Sequence, residues 1–137
     1  MSEEPLLRAP IAVGTGAIAG ALSRYYLGQW LAFSITTEFP VDTFWINLSG
    51  CFLMGFVATV SVNRLAAKPE LILLITAGFL GSYTTFSTYG LDVFQLIETS
   101  NLQKALFYWV GSPILGLICL QLGVLAATLI TSHHKDI

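Results

Sequence analysis

Long apolar runs separated by short polar connections predict helices that cross a membrane. A transmembrane helix needs about 20 mainly apolar residues. The connections between the runs hold Pro40, Pro69 and half of the charged side chains. We therefore expect an all-α membrane protein in which the whole chain, 1–137, forms a single domain. Its four predicted transmembrane helices are residues 11–33, 43–62, 71–97 and 105–130.

The third apolar run is interrupted by a polar stretch, Thr84-Thr85-Phe86-Ser87-Thr88, with glycines on both sides. Glycine and hydroxyl-bearing residues weaken a helix, because hydroxyls offer the backbone competing hydrogen bonds. A broken helix at membrane depth must be buried in protein or line a wet cavity. We expect the third helix to be broken here, with freed carbonyls able to hold a cation. The alternative is an intact helix whose threonines bond back to their own carbonyls.

Two further polar residues lie within apolar runs. The amide of Asn47 is costly in hydrocarbon unless it has a partner, so Asn47 either lines a path or bridges two helices. Arg24 lies inside the first run. It either extends to a helix end, as long cationic side chains do, or attracts anions to a vestibule.

Hydroxyl and aromatic side chains mark further candidate lining positions. Tyr108 and Ser112 are four residues apart and share a helix face, next to Pro113. Phe86 and Tyr89 are three apart and are neighbours on a helix. Aromatic ring edges carry partial positive charge, so these two rings either present their edges to an anion or only fill space.

Small residues recur at a spacing that lets membrane helices approach closely. Gly16 and Gly20 form one such pair, and Gly123 and Ala127 form another. These pairs predict close contacts between helices or between copies of the chain. Four thin helices enclose little interior, so a transport path is expected to require a dimer.

Composition supports a lipid-facing surface and excludes several classes of protein. The chain is 55% hydrophobic and 10% charged, whereas soluble domains carry about 25% charged residues. A net charge of −2 provides no basic face for nucleic acid, so no nucleic-acid partner is expected. Cys51 and Cys119 both lie in apolar runs and are interpreted as small hydrophobic residues. The opening residues lack the basic region of a signal peptide.

Positive charges are distributed with only a small bias between the two sides of the membrane. The side with both termini carries four basic residues and the other side carries two: Arg8, Arg64, Lys68 and Lys135 against Arg24 and Lys104. Because positive charge in short loops sets orientation, the termini are expected in the cytoplasm. So small a bias also allows insertion both ways round.

Carboxylates and catalytic motifs are sparse in the predicted spans. Asp92 is the single acidic residue within them, which disfavours proton-coupled transport through a central carboxylate. No nucleophile-elbow, zinc-protease or P-loop pattern occurs in the sequence. We therefore do not expect an enzyme.

Three stretches of sequence resemble the Fluc/CrcB fluoride channel family: GAIAGALSRY at residues 16–25, WINLSGCF at 45–52 and GFLGSYTTFSTY at 78–89. The resemblance covers nearly the whole chain. It implies an antiparallel, dual-topology homodimer in the bacterial inner membrane that lets fluoride leave the cell passively. The alternatives are a small multidrug-resistance-type exporter and a non-transporting membrane assembly protein.

The resemblance also implies roles for individual residues. A structural Na⁺ at the dimer centre would bind backbone carbonyls of Gly81 and Thr84. Asn47, Phe86 and Tyr89 match family pore residues, although the family has phenylalanine where Tyr89 stands. The remaining positions that match the family's polar lining or vestibule are Thr85, Ser87, Thr88, Tyr108, Ser112 and Arg24.

Overall fold

The computed structural model describes residues 4–62, 68–99 and 101–132, and Arg64 and Lys135 lie outside these ranges. Within them the chain is helical, without strands, and short connections join the helices. The helices are α1 (Glu4–Ser34), α2 (Val41–Val60), α3 (residues 69–83), α4 (Phe86–Glu98) and α5 (Leu102–Ser132).

Each helix reaches to within a few residues of the predicted span, except that α1 begins seven residues before position 11. Pro10, which precedes the predicted span, lies inside α1. The difference has a physical reason. Hydropathy marks the part of a helix that suits lipid, whereas the helix itself continues as far as its backbone hydrogen bonds do.

Three segments of the described chain are long and apolar enough to cross a membrane: Val41–Val60, Pro69–Glu98 and Leu102–Ser132. Helix α1 is not among them, so the predicted first span stays a prediction. Large apolar side chains point outward along α5, including Ile114, Leu117 and Leu125, each at least half exposed. A helix that faces water would not expose such an apolar surface over its whole length. The exposed surface and the three apolar segments together indicate that the chain is a multi-pass membrane protein.

Helix α1 packs on α3 through glycines. A Cβ placed on Gly16 would overlap the carbonyl oxygen of Leu74, and one on Gly20 would overlap that of Phe79. A Cβ on Gly78 of α3 would likewise overlap the carbonyl oxygen of Val13. The predicted close helix contact at this glycine pair is confirmed, and it lies within one chain.

Helix α2 packs on α5 in the same way. A Cβ on Gly55 would overlap the carbonyl oxygen of Leu120, and one on Gly123 would overlap that of Phe52. Ala127, one turn beyond Gly123, is fully buried. The second predicted small-residue pair therefore also mediates helix packing.

The third apolar segment changes its helical geometry twice. After Pro69–Leu73 the backbone is a π-helix over Leu74–Leu80, followed by one α-helical turn, Gly81–Tyr83. Thr84 (φ −80°, ψ 158°) and Thr85 (φ −150°, ψ 122°) are extended, and α4 begins at Phe86. Two extended residues thus separate α3 from α4.

Candidate functional site

Asn47 pairs with the backbone of Thr85 through two hydrogen bonds. Its side-chain nitrogen Nδ2 donates to the Thr85 carbonyl at 3.0 Å. The Thr85 amide donates in return to Asn47 Oδ1 at 2.8 Å. The amide of Asn47 thereby supplies what a neighbouring strand would supply to an extended residue. Of the two readings of Asn47, the structure shows the bridge between α2 and the extended pair; its pore role stays a prediction.

The surface of α2 next to Asn47 is shaped to receive this extended pair. A Cβ on Gly50, one turn after Asn47, would overlap the Cγ2 methyl of Thr84. Ser49 Oγ lies 2.9 Å from Tyr83 Oη, so a hydroxyl pair joins α2 to the last turn of α3. The extended residues therefore lie directly on the backbone of α2.

Hydroxyl groups gather at the start of α4. Thr85 is its N-cap residue, and Thr85 Oγ1 accepts a hydrogen bond from the Thr88 amide at 3.3 Å. The same oxygen lies 3.0 Å from Thr88 Oγ1 and 3.3 Å from Ser87 Oγ. Thr84 Oγ1 bonds back to the Leu80 carbonyl at 3.0 Å. Thr85, Ser87 and Thr88 thus form a connected cluster of hydroxyls, whereas Thr84 bonds back to its own helix.

The hydrogen bonds of Thr85 and Thr88 divert two amides from the helical pattern. In a continuous helix the Thr85 amide would bond the Gly81 carbonyl, and the Thr88 amide would bond the Thr84 carbonyl. The first donates to Asn47 and the second to the Thr85 hydroxyl. The Gly81 and Thr84 carbonyls are thereby released from their usual donors.

The aromatic residues form a row behind the cluster. Phe86 is 83% exposed and Tyr89 is 7% exposed, with ring centroids 5.6 Å apart. Tyr108 is fully buried, and its ring lies 5.2 Å from that of Tyr89. Tyr89 Oη donates to the Trp109 carbonyl at 2.5 Å. The Tyr89 hydroxyl therefore already has an acceptor in the protein.

Asp92 is an isolated carboxylate in the sequence, but in the structure it contacts this row of aromatic rings. Its Oδ2 accepts a hydrogen bond from Tyr108 Oη at 3.0 Å. Its position as the single acidic residue of the predicted spans was the signal available from sequence. That Tyr108 would be its partner depends on how α4 and α5 are rotated, which the sequence does not specify.

An open groove of about 520 Å³ lies between α2, α5 and the extended pair. Most of its wall is apolar, formed by side chains such as Leu48, Met54 and Leu117. Within the described residues, the Ser112 hydroxyl is buried and has no hydrogen-bond partner. The predicted site residues on its wall are Asn47, Thr84, Thr85, Phe86, Tyr89 and Ser112.

A second cavity of about 380 Å³ lies between α1, α2 and the start of α4. Arg24 lines it together with Asp42, and Thr88 lines it from α4. Thr85 lines both cavities, whereas Asn47 lines the first. Arg24 is thus placed on the wall of a cavity that the carboxylate of Asp42 also lines. Tyr108, in contrast, lies behind the ring of Tyr89.

An ion pair fixes the connection between α1 and α2 to the start of α5. Lys104 Nζ lies 2.7 Å from Glu38 Oε2, and Asn101 Nδ2 donates to the same oxygen at 3.3 Å. The hydrogen bond from Lys104 and then its charge hold the pKa of the Glu38 carboxyl below its ordinary value. Because both side chains are exposed, this contact contributes little to stability.

Comparison with known proteins identifies the family. The family model described as CrcB-like protein, Camphor Resistance (CrcB), matches residues 11–124. The chain belongs to this CrcB family. Every predicted site residue of this CrcB-like chain, from Arg24 to Ser112, lies inside the matched region.

Curated relatives extend over nearly the whole chain. The fluoride-specific ion channel FluC of Trichormus variabilis is 52% identical over 130 residues, which cover 94% of this chain and 95% of the relative. The FluC protein of a Synechococcus strain is 50% identical over 125 residues, covering 91% and 96%. That of a Synechocystis strain is 46% identical over the same length, with the same coverage. The resemblance found in the sequence is confirmed.

Proposed function

We propose that this chain forms a fluoride-specific ion channel that lets fluoride leave the cell down its gradient. Membership of the CrcB family and the names of the similar curated proteins support this function. The observation that carries it is the extended Thr84–Thr85 pair, which Asn47 holds inside an apolar segment and which borders two cavities. A purely structural membrane helix has no need of such an interruption.

The groove offers the donors that fluoride requires. A small, strongly hydrated anion enters a pore when N–H groups, O–H groups and ring edges replace its water. Asn47 Nδ2 has two N–H groups, of which one donates to Thr85. The buried Ser112 hydroxyl and the exposed ring of Phe86 are further candidates. Conduction also requires that each contact be moderate, so that the ion leaves again.

The start of α4 adds an electrostatic contribution. Helix N-termini carry partial positive charge and unpaired amides, and α4 begins at Phe86 on the wall of the groove. This favours an anion over a cation next to the hydroxyl cluster. The helix thus complements the neutral donors without placing a full positive charge in the groove.

The functional unit in this proposal is an antiparallel homodimer of dual topology. In the single chain the groove is open to one side and Phe86 is 83% exposed. A second copy of the chain would close the groove and cover this ring. The broken third helix of each copy would then lie at the dimer centre.

A structural Na⁺ fits the donor set at that centre. The Gly81 and Thr84 carbonyls are those whose helical amides are diverted to Asn47 and to the Thr85 hydroxyl. Neutral carbonyl oxygens suit a monovalent cation, and these two residues would hold it. When bound, the ion would supply a positive charge that links the two copies and favours anions nearby.

A fluoride-electrode assay on purified protein in liposomes tests the function. Efflux of fluoride alone builds a membrane voltage that stops further efflux, and a potassium ionophore removes this voltage. We expect rapid fluoride efflux from loaded vesicles once the ionophore is added, with little chloride efflux under the same conditions. Comparable chloride and fluoride fluxes would contradict the proposed selectivity. Absence of any flux would instead favour an assembly protein, and proton-driven export of a cationic dye would favour an exporter.

A further inference from the structure

Pro113 leaves one carbonyl of α5 without its helical donor. The residue lies inside the continuous helix Leu102–Ser132. Proline has no amide hydrogen, so the carbonyl four residues earlier loses the bond that a helix normally gives it. That carbonyl belongs to Trp109.

The Tyr89 hydroxyl donates to this same carbonyl. Tyr89 Oη lies 2.5 Å from the Trp109 oxygen, and the tyrosine is 7% exposed. A buried carbonyl without a donor is unfavourable, and the phenol supplies the missing donor from another helix. A phenylalanine at this position, as the family resemblance predicts, has no hydroxyl to do so.

The bond fixes the position of the groove wall. It holds the first turn of α4 against α5 at the point where Pro113 interrupts the backbone hydrogen bonds of α5. Phe86 lies one turn before Tyr89, with ring centroids 5.6 Å apart, and Pro113 and Ser112 lie across the same groove. Movement of Tyr89 would therefore change the separation between Phe86 and the α5 wall.

We propose that Tyr89 is a positioning residue whose hydroxyl replaces the amide missing at Pro113 and thereby sets the width of the groove. Tyr89 presents its ring, not its hydroxyl, to the groove, since the hydroxyl is bound to Trp109. The expected effect of this role on fluoride efflux rests on the proposed function. The hydrogen bond itself does not depend on that pathway.

A double-mutant cycle tests the inference. Tyr89→Phe removes the hydroxyl, and Pro113→Ala restores an amide that can bond the Trp109 carbonyl within α5. We expect Tyr89→Phe to lower fluoride efflux about tenfold when Pro113 is present and by less than about twofold when residue 113 is alanine. Equal effects in the two backgrounds would overturn the proposal. Tyr26→Phe, which removes a hydroxyl from an exposed tyrosine of α1, serves as the control and is expected to conduct normally.

An infrared measurement follows the carbonyl directly. The protein has three tryptophans, and ¹³C in their backbone carbonyls separates these bands from the other amides. Tyr89→Phe should move one labelled band to higher frequency, because a carbonyl that loses a hydrogen bond stiffens. Adding Pro113→Ala should move it back, and an unchanged band in Tyr89→Phe would overturn the inference.

The two measurements separate this inference from the proposed function. If the wild-type protein carries no fluoride, the function fails while the infrared bands still decide whether Tyr89 bonds Trp109. If fluoride flows but the bands and the cycle show no coupling, the function stands and the positioning role of Tyr89 is wrong. If Pro113→Ala does not fold, the band shift in Tyr89→Phe alone decides the outcome.

Discussion

Asn47 and Thr85 are 38 residues apart in sequence, yet the side-chain amide of the first satisfies both backbone groups of the second. This pairing explains how two extended residues persist inside an apolar segment. Each backbone group that leaves the helical ladder needs a partner, and water is scarce at membrane depth. Asn47 is that partner on the side of α2.

Asn47→Ala should therefore reduce both stability and fluoride flux. It leaves the Thr85 amide and carbonyl without their partner, and each unsatisfied buried group costs about 1–3 kcal/mol. We expect a lower thermal midpoint of the purified protein. We also expect about a tenfold loss of efflux if the missing amide donor raises the barrier for the ion by about 1.4 kcal/mol. Asn101→Ala, which removes an amide at the exposed Glu38 contact, is the matched control. A wild-type midpoint in Asn47→Ala would show that the pairing does not support the extended residues.

Phe86→Ile should reduce fluoride efflux while leaving the single-chain fold intact. The ring is 83% exposed in the chain, so its loss creates no cavity in the core, but it removes an aromatic edge from the groove. We expect a more than tenfold fall in efflux, equivalent to about 1.4 kcal/mol or more. Phe94→Ile, which changes an exposed ring two turns later on α4, is the control. Equal fluxes for the two variants would remove Phe86 from the path.

Gly16→Ala should destabilise the contact between α1 and α3. The added methyl would meet the Leu74 carbonyl oxygen, which belongs to the backbone and cannot turn aside. Such overpacking costs about 1–3 kcal/mol. Gly14→Ala is the matched control on the same helix, since a Cβ there meets nothing within 4 Å, and better helix propensity should stabilise it by up to about 1 kcal/mol. Denaturation of the two variants side by side should give shifts of opposite sign.

Glu38→Gln should have a small effect at neutral pH that disappears in acid. The Lys104 contact lowers the folded-state pKa of Glu38 below its reference value of 4.5. The stabilisation from this group is therefore complete above the unfolded pKa and is lost as the pH falls through the lower folded pKa. The difference in thermal midpoint between wild type and Glu38→Gln, followed from pH 7 downward through that range, measures it. A difference that grows in acid would contradict the assignment.

Sequence patterns indicated three of the apolar segments that are long enough to cross a membrane and a weak helix within the third predicted span. Glycines and hydroxyl residues at 78–90 predicted a weak helix, and the two extended residues fall within that stretch. The close helix contacts at Gly16 and Gly123 could be predicted because small residues at that spacing let membrane helices approach closely. These features depend on local composition, which a sequence displays directly.

Contacts between residues that are distant in sequence could not be predicted in the same way. The contact of Tyr108 with Asp92 and that of Asn47 with Thr85 depend on how whole helices are rotated about their axes. Tyr89 shows the intermediate case. The sequence shows a phenol at position 89 and a proline at position 113, and a proline leaves the carbonyl four residues earlier without its helical donor. Only the packing of α4 on α5 brings these two facts together.

The π-helical stretch Leu74–Leu80 acts on the site from a distance. If this stretch were wound as an α-helix without losing a residue, its extra residue would turn everything that follows by about 100° around the helix axis, the angle that one residue occupies in an α-helix. Thr85 would then face away from Asn47, although neither residue had been changed. The angular phase of the third segment is thus set upstream of the polar run, by the winding of Leu74–Leu80.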